Sequence, residues 1–209
     1  VSYSDGRRPD AVRFASPRED ALRRDFTING MFYDPLADEV IDYVGGRADL
    51  GRRVVRTIGD PDERFAEDYL RMVRAVRFAV ALDFTIAPAT AEAIRRHAPK
   101  IHGISGERVF DELRKMLSAA SAATALQRLD ELDLAREILP ELFAAADAWP
   151  AGLERVRAVA GRGDVPLTLS ALLAGAGRRG LRAMIRRWGG SNELRDAVTY
   201  LAEHLDEWD

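Results

Sequence analysis

The feature that most constrains the fold of this chain is an abrupt change of pattern near residue 60. From Asp60 almost to the end, apolar residues recur at the 3.6-residue period of amphipathic helices, with breaks at short glycine and proline sites. Before Asp60, only residues 11–14 and 40–44 have the alternating or β-rich character of strands. Two short strands are too few for a complete sheet domain. The sequence therefore predicts a mostly α protein, in which a partial α+β segment precedes a long helical array.

Capping signals predict where the first helix begins. Ser16 is followed by Pro17, which suits the first helical position, and by Glu19 three residues after Ser16. The pattern predicts that this helix continues to about Phe32, and a turn then leads into the strand at 40–44.

A second start signal, Asp60-Pro61, opens the helical array. We expect one helix there with an apolar face that runs to Leu82. The later periodicity predicts helices at about 88–98, 106–119, 121–133, 135–147, 151–161, 166–175, 178–188 and 191–208.

Composition excludes several classes of function. The 209 residues contain no cysteine, which excludes disulfides, a thiolate nucleophile and a cysteine-based zinc site. No apolar run approaches the roughly 20 residues that span a bilayer, and the N-terminus lacks the pattern of a signal peptide. We therefore expect a cytoplasmic protein with no membrane partner. A net charge of −3 gives no argument from bulk charge for a nucleic-acid partner.

The first group of residues with possible chemistry is Arg23-Arg24-Asp25-Phe26-Thr27-Ile28-Asn29. On a helix, Asp25 and Asn29 are four residues apart and share one face. That face would offer acceptor, amide and guanidinium groups to a ribose and a triphosphate. The alternative is a surface helix with local ion pairs, and the spacing alone favours that alternative.

The second group begins at Asp68 and Arg71, which are neighbours at i,i+3 spacing on the predicted helix. Together they present acceptor oxygens beside N–H donors. Cytosine and adenine each carry an amine donor beside a ring-nitrogen acceptor and fit such a pair, whereas uracil and guanine carry a carbonyl beside a ring N–H. One rigid pair would thus accept C and A and reject U and G.

Arg71, Arg74 and Arg77 recur every three residues, so they wind round a 3.6-residue helix and form no single stripe. The alternative for these arginines, as for Asp68, is a structural role on the helix and no contact with a ligand. Acids near a helix start favour its dipole, and arginines at this spacing often form a solvated face.

Four segments, in this order, resemble the conserved motifs of class II tRNA nucleotidyltransferases and bacterial poly(A) polymerases. They are Arg23-Arg-Asp-Phe-Thr-Ile-Asn29, Asp42-Tyr-Val-Gly-Gly46, Glu67-Asp-Tyr-Leu-Arg71 and Gly106-Glu-Arg-Val-Phe-Asp-Glu-Leu113. Residues 3–9 are similar to the flexible loop of the family. The resemblance covers about residues 1–120, and beyond that point it rests on helical character alone.

The resemblance implies three parts: the C-terminal part of a nucleotidyltransferase head at 1–55, a helical neck that recognises the base at 56–120, and an RNA-binding helical body at 121–209. It implies an enzyme that adds CMP and AMP from CTP and ATP to tRNA 3′ ends without a template. The alternatives are a poly(A) polymerase, a form that adds only A or only CC, and a non-catalytic helical RNA-binding module. The sequence leaves the oligomeric state open.

The resemblance also implies roles for individual residues. Asp68 and Arg71 would read the incoming base, and Asp25 and Asn29 would contact the ribose or order the site. Arg24, Arg74 and Arg77 would contact the nucleotide, mainly its phosphates. Structural roles are implied for Asp42, Gly45, Gly46, Glu107 and Arg108.

One motif of the family has no counterpart in the sequence. The family carries a glycine-rich turn and two carboxylates, one residue apart, that hold Mg²⁺ for nucleotidyl transfer. Asp5 and Asp10 lie in loop sequence and do not replace them. We therefore expect Mg²⁺ to be bound by residues that are missing from this chain, and the chain alone to be inactive.

Overall fold

The computed structural model describes residues 16–204 as a helical protein with two small sheets. The predicted mostly α class is confirmed, while the predicted strand at 11–14 lies outside the described residues. Within residues 16–204, the helices are α1 (Pro17–Arg23), α2 (Gly46–Arg52), α3 (Pro61–Glu67), α4 (Leu70–Leu82), α5 (Pro88–His97), α6 (Gly106–Leu117), α7 (Ala122–Glu131), α8 (Leu134–Ile138), α9 (Ala148–Val159), α10 (Val165–Leu173), α11 (Gly177–Arg187) and α12 (Asn192–Glu203). The strands are β1 (Met31–Asp34), β2 (Glu39–Asp42), β3 (Val54–Val55) and β4 (Thr85–Ile86).

Both predicted helix starts are confirmed. Ser16 accepts a hydrogen bond from the backbone N–H of Glu19, whose carboxylate in turn accepts from the N–H of Ser16. Asp60 accepts from two backbone N–H groups in the first turn of α3.

The predicted extent of the first helix is wrong. α1 ends at Arg23, and Arg24 is already extended, with φ −71° and ψ 168°. The chain turns because Phe26 enters the core, where it is fully buried, and forms a β-bridge with Thr57. Thr27 follows it and donates its N–H to the carbonyl of Arg56 at 2.9 Å. These tertiary contacts override the local helical pattern, and the residues up to Phe32 form a short 3-10 turn and then β1.

The single helix predicted from Asp60 is also wrong, because it is divided at Asp68. α3 ends at Glu67, and Asp68 is extended, with φ −159° and ψ 101°. Its carboxylate then accepts from the N–H of Leu70 at 3.1 Å, where α4 begins. Asp68 therefore lies in the connection between two helices. It does not share a helix with Arg71, as the i,i+3 spacing assumed.

Later helices follow the prediction more closely. The predicted helix at 135–147 is shorter, since α8 ends at Ile138 and a 3-10 turn follows. Pro150, expected to be a break, lies in the first turn of α9, where a missing N–H removes no intrahelical bond. No helix of the described residues is both long and apolar enough to cross a membrane.

One connected hydrophobic core joins the N-terminal segment to the helical array. β3 and β4 pair in parallel and tie the start of the array to the end of α4. Phe26 packs edge-to-face on Phe78 of α4, with ring centroids 5.8 Å apart. The antiparallel hairpin of β1 and β2 stands at the edge of this assembly. The core thus fixes the N-terminal segment against α4.

The turn after β2 is built around Asp42. Its carboxylate accepts four backbone N–H bonds, from Val44, Gly45, Gly46 and Arg47, at 2.9–3.0 Å. Burial favours the neutral acid, but these four donors outweigh it and lower the pKa of Asp42 below its ordinary value. Gly45 has φ +81°, a left-handed conformation that glycine adopts without strain. The geometry agrees with the structural roles that the resemblance implies for these residues.

Gly46→Ala should destabilise the fold. An added Cβ would lie well inside van der Waals contact with the carbonyl oxygen of Thr27, and 2.8 Å from Cγ of Met31. We expect a loss of about 1–3 kcal/mol in the free energy of unfolding, measured by denaturant titration of the chain. Gly51→Ala on the same helix is the control, because nothing lies within 4 Å of its Cβ position. That control should gain about 0.5–1 kcal/mol, and equal effects of the two variants would contradict the packing argument.

Candidate functional site

The predicted site residues meet in one polar cavity between the N-terminal segment and α4. Its volume is about 520 Å³. Six of the seven residues proposed from the sequence line it, and Phe78 of α4 is the seventh lining residue. The lining is Arg24, Asp25, Asn29, Asp68, Arg71, Arg74 and Phe78.

An ion pair between Asp25 and Arg74 joins the two sides of the cavity. Arg74 donates from Nε and Nη2 to Oδ2 of Asp25, at 2.9 and 2.7 Å. Oδ1 of Asp25 accepts from the N–H of Phe26 at 2.9 Å and from the amide of Asn29 at 3.1 Å. Asp25 is only 8% exposed, so both of its oxygens serve to hold neighbouring groups in place.

Arg24 lies at the rim of the cavity, after the end of α1. Its Nη1 donates to the carbonyl oxygen of Asn29 at 2.9 Å, and its Nε and Nη2 reach one oxygen of Asp20 at 3.2 and 3.1 Å. The guanidinium also lies over the ring of Phe32, 5.1 Å from its centroid. These contacts hold Arg24 in position while it remains half-exposed.

Asp68 and Arg71 both line the cavity, although they do not share a helix. Oδ1 of Asp68 accepts from the N–H of Leu70, the first residue of α4, and Oδ2 accepts from Nη2 of Arg108 at 2.7 Å. Nη1 of Arg71 donates to Glu67 at 2.6 Å and to the carbonyl of Arg64 at 2.9 Å. The hydrogen bond from Arg71 lowers the pKa of Glu67. Asp68 and Arg71 therefore reach the same cavity from the connection between α3 and α4 and from the first turn of α4.

Arg77 is the one proposed residue that does not line the cavity. Its Nε donates to Glu112 of α6 at 2.5 Å, and its guanidinium lies over the ring of Phe78 at 4.0 Å from the centroid. Glu112 also accepts from Lys115 at 2.8 Å, and Nη1 of Arg74 lies 3.5 Å away from it. As the sequence predicted, the three arginines wind round α4: Arg71 pairs with Glu67, Arg74 with Asp25 and Glu112, and Arg77 with Glu112.

Glu112 is the main residue that the sequence interpretation missed. Its side chain is 4% exposed. Burial raises its pKa, but hydrogen bonds from Lys115 and Arg77 outweigh burial and lower the pKa below its ordinary value of 4.5. The available signal was an acid in the apolar stripe of α6, between Val109 and Leu113, where a charge needs a partner.

The cavity suits an anionic, hydrogen-bonding ligand. Three arginines face two aspartates, so the lining keeps a net positive charge. Each guanidinium has five N–H donors, and the internal contacts of Arg71 and Arg74 use only part of that number. Asp68 adds acceptor oxygens at one end. Phosphate oxygens and a base edge together would satisfy such a lining.

The described residues do not fit a resident metal ion. No group of three His, Cys, Asp or Glu side chains within residues 16–204 could hold one. The carboxylate of Asp25 is bound by Arg74, Asn29 and a backbone N–H, and that of Asp68 by Arg108 and a backbone N–H. The two pocket carboxylates are therefore engaged with protein donors.

Two family models match this chain. One describes a poly A polymerase head domain and matches residues 1–56. The other describes a probable RNA and SrmB-binding site of polymerase A and matches residues 83–145.

The chain also matches characterised relatives. It is 45% identical over 157 residues to the CCA-adding enzyme of Geobacillus stearothermophilus, covering 71% of this chain and 38% of that protein. It is 40% identical over 212 residues to the CCA-adding enzyme of Levilactobacillus brevis, and the match covers 98% of this chain and 52% of that protein. Poly(A) polymerase I of Salmonella typhi is 45% identical over 129 residues, and the match covers 62% of this chain and 28% of that protein. The chain thus spans about half or less of the length of these curated relatives.

Solved structures share the fold. The Bacillus stearothermophilus CCA-adding enzyme in complex with CTP is 33% identical, with a TM-score of 0.70, covering 93% of this chain and 48% of that one. The Thermotoga maritima CCA-adding enzyme complexed with tRNA has a TM-score of 0.74 at 21% identity, covering 91% and 49%, and shows the fold alone.

Fold and site together define a helical protein with an arginine-lined cavity at its junction with a nucleotidyltransferase head segment. The chain belongs to the family of CCA-adding enzymes and bacterial poly(A) polymerases.

The buried charge of Glu112 yields a prediction about stability. Glu112→Gln would leave the guanidinium of Arg77 beside a neutral amide, and we expect a loss of about 1–3 kcal/mol in the free energy of unfolding at pH 7. Asp111→Asn, on the exposed side of the same helix, is the control and should change it by less than about 0.5 kcal/mol.

The pH dependence gives this prediction a second test. Because the folded pKa of Glu112 lies below 4.5, its stabilisation is complete above about that pH and is lost as the pH falls through the folded pKa. The difference between wild type and Glu112→Gln should therefore shrink in acid, as measured by denaturant unfolding at several pH values. A difference that stayed constant down to acid would show that the charge of Glu112 is not what stabilises the fold.

Proposed function

We propose that the protein containing this chain adds CMP and AMP, from CTP and ATP, to tRNA 3′ ends. The observation that carries the proposal is the convergence of Arg24, Asp25, Asn29, Asp68, Arg71 and Arg74 on one cavity. These residues come from segments far apart in sequence, and a shared ligand accounts for their meeting. The names of the relatives, most of them CCA-adding enzymes, support this activity.

Base selection is proposed to rest on Asp68 and Arg71. A carboxylate has about four lone-pair sites, and the two internal bonds of Asp68 leave acceptor capacity on each oxygen. Nη1 of Arg71 donates to Glu67 and to the carbonyl of Arg64, and Nη2 makes one weaker contact, at 3.5 Å, with the carbonyl of Arg23. The amine of cytosine or adenine would donate to Asp68, and its ring nitrogen would accept from Arg71. A carbonyl in place of the amine would face the carboxylate, and uracil and guanine would be rejected.

Phosphate binding is proposed for Arg24 and Arg74, which retain unused donors in the cavity. Asp25 and Asn29 would orient this site, because Asp25 fixes Arg74 from one side and the amide of Asn29 from the other. For Arg77, the ion pair with Glu112 supports an indirect role, in which it anchors α4 against α6 and keeps Arg74 in place.

The proposed reaction is attack of the terminal 3′-hydroxyl of the tRNA on the α-phosphorus of the bound nucleotide. A new O–P bond forms, the bond to the β-phosphate oxygen breaks, pyrophosphate leaves and the hydroxyl proton is lost. The described residues would bind and orient the nucleotide for this step. Enzymes of the family generally use a divalent metal. We keep Mg²⁺ as the proposed ion, on the resemblance alone, and assign it to no described residue. A cytoplasmic location is proposed on the same activity.

The alternatives are separated by the product. A poly(A) polymerase is the nearest, since Salmonella poly(A) polymerase I is among the relatives. A non-catalytic RNA-binding module is favoured by the family model over residues 83–145, whose description concerns RNA binding. A protein containing this chain, incubated with tRNA that lacks its 3′ end and with labelled CTP and ATP, should form tRNA ending in CCA. Long A tails would support the polymerase, and binding of tRNA without incorporation would support the module.

Asp68→Ala tests the base-reading assignment. A charge-assisted hydrogen bond is worth roughly 1.5–3 kcal/mol, which corresponds to about a 10- to 150-fold loss in kcat/KM for CTP and ATP. Use of UTP and GTP should fall much less or rise. Glu63→Ala, an exposed acid on α3, is the control. An equal fall for all four nucleotides would mean that Asp68 supports the start of α4 and does not read the base.

Arg74→Ala tests the phosphate assignment. Phosphates are common to CTP and ATP, so KM should rise by a similar factor for both, about tenfold or more for a lost charge-assisted contact. Arg18→Ala, an exposed arginine on α1, should leave KM unchanged. A loss confined to one nucleotide would place Arg74 at the base and not at the phosphates.

A further inference from the structure

We propose that Arg108 of α6 is a positioning residue that sets nucleotide selectivity by holding the carboxylate of Asp68 in one orientation. This inference rests on the proposed base-reading function of Asp68. Arg108 does not line the cavity, so it would act on the ligand only through Asp68.

The carboxylate of Asp68 is held by contacts from outside its own helix. Asp68 is the extended residue that follows α3, before α4 begins at Leu70. Two hydrogen bonds hold the carboxylate: Oδ1 accepts from the N–H of Leu70 at 3.1 Å, and Oδ2 from Nη2 of Arg108 at 2.7 Å. The first fixes one oxygen near the start of α4. The second fixes the rotation of the carboxylate plane about that point.

Selection among bases by Asp68 requires that its carboxylate keep one orientation. An amine donor and a carbonyl acceptor of competing bases occupy similar positions, and only a carboxylate oxygen aimed at that position favours the first and repels the second. A carboxylate that rotates away presents neither the attraction nor the repulsion. Losing Arg108 would therefore reduce discrimination from both sides, lowering the use of CTP and ATP and relaxing the rejection of UTP and GTP.

The solvent exposure of Arg108 and Asp68 distinguishes a role in selectivity from a role in stability. The side chain of Arg108 is 52% exposed and that of Asp68 is 27% exposed. Ion pairs with this much solvent contribute little to the free energy of unfolding. Arg108→Ala should therefore fold normally, and its effect should appear in selectivity and not in thermal stability.

The first test is the ratio of kcat/KM for CTP to that for UTP, measured with wild type and Arg108→Ala in an active protein that contains this chain. We expect the ratio to fall about tenfold, the effect of losing one charge-assisted hydrogen bond, while the melting temperature stays within a degree or two. Arg108→Lys keeps a positive donor and should restore part of the ratio. Arg114→Ala is the matched control on α6, since within residues 16–204 the ion-pair partner of Arg114 is the exposed Asp111, at 3.5 Å.

A double-mutant cycle asks whether Arg108 works through Asp68. In an Asp68→Ala background there is no carboxylate to orient, so adding Arg108→Ala should change the CTP-to-UTP ratio no further. Equilibrium binding of CTP and UTP to the same four proteins gives a readout that is independent of turnover, and the same pattern is expected there.

The outcomes separate this inference from the proposed function. A wild type with no preference among nucleotides would overturn both. A wild-type preference that survives intact in Arg108→Ala would overturn the inference alone. So would an equal loss for all four nucleotides, or a further loss in the Asp68→Ala background, because either result would show that Arg108 acts elsewhere.

Discussion

The ion pair between Asp25 and Arg74 is the interaction on which the site depends. Asp25 belongs to the N-terminal segment and Arg74 to α4, and the cavity exists only where these two parts meet. The pair is partly buried, so removing either partner would leave a charge without compensation. Asp25 also binds Asn29 and the N–H of Phe26. One carboxylate thus holds the guanidinium of Arg74, the amide of Asn29 and the backbone N–H of Phe26 together.

Further contacts come from α6, none of whose residues is part of the cavity lining. Arg108 and Glu112 are one helical turn apart on α6, and each reaches a cavity residue of opposite charge. Arg108 binds Asp68, while Glu112 binds Arg77 and lies 3.5 Å from Arg74. One rigid helix therefore supports both the acidic end and the basic end of the cavity. This arrangement fixes the spacing between the groups proposed for base and phosphate, as preorganised recognition requires.

Much of the fold follows from local signals. The capping box at Ser16, the cap at Asp60 and the 3.6-residue periodicity located most helices, and the motifs identified every cavity residue except Phe78. Local signals failed where long-range contacts decide the backbone. Phe26 is drawn into the core and pairs with Thr57, 31 positions along the chain, so α1 ends early. The partners of Arg77 and Asp68 lie on α6, and periodicity within α4 carries no information about them.

Three guanidinium groups converge on one cavity. Mutual repulsion of the guanidinium groups would oppose their convergence, and each is offset by a carboxylate: Asp20 for Arg24, Glu67 for Arg71 and Asp25 for Arg74. A carboxylate neutralises charge but uses few of the five donors that a guanidinium carries. The ion pairs already restrict these side chains, so a triphosphate bound as proposed would cost less side-chain ordering. The lining keeps only a small net positive charge, so charge would favour an anion while the direction of the donors would decide which anion fits. The proposed selectivity would therefore rest on the direction of the donors and acceptors, and the helices that hold those directions would be as necessary to recognition as the residues proposed to contact the nucleotide.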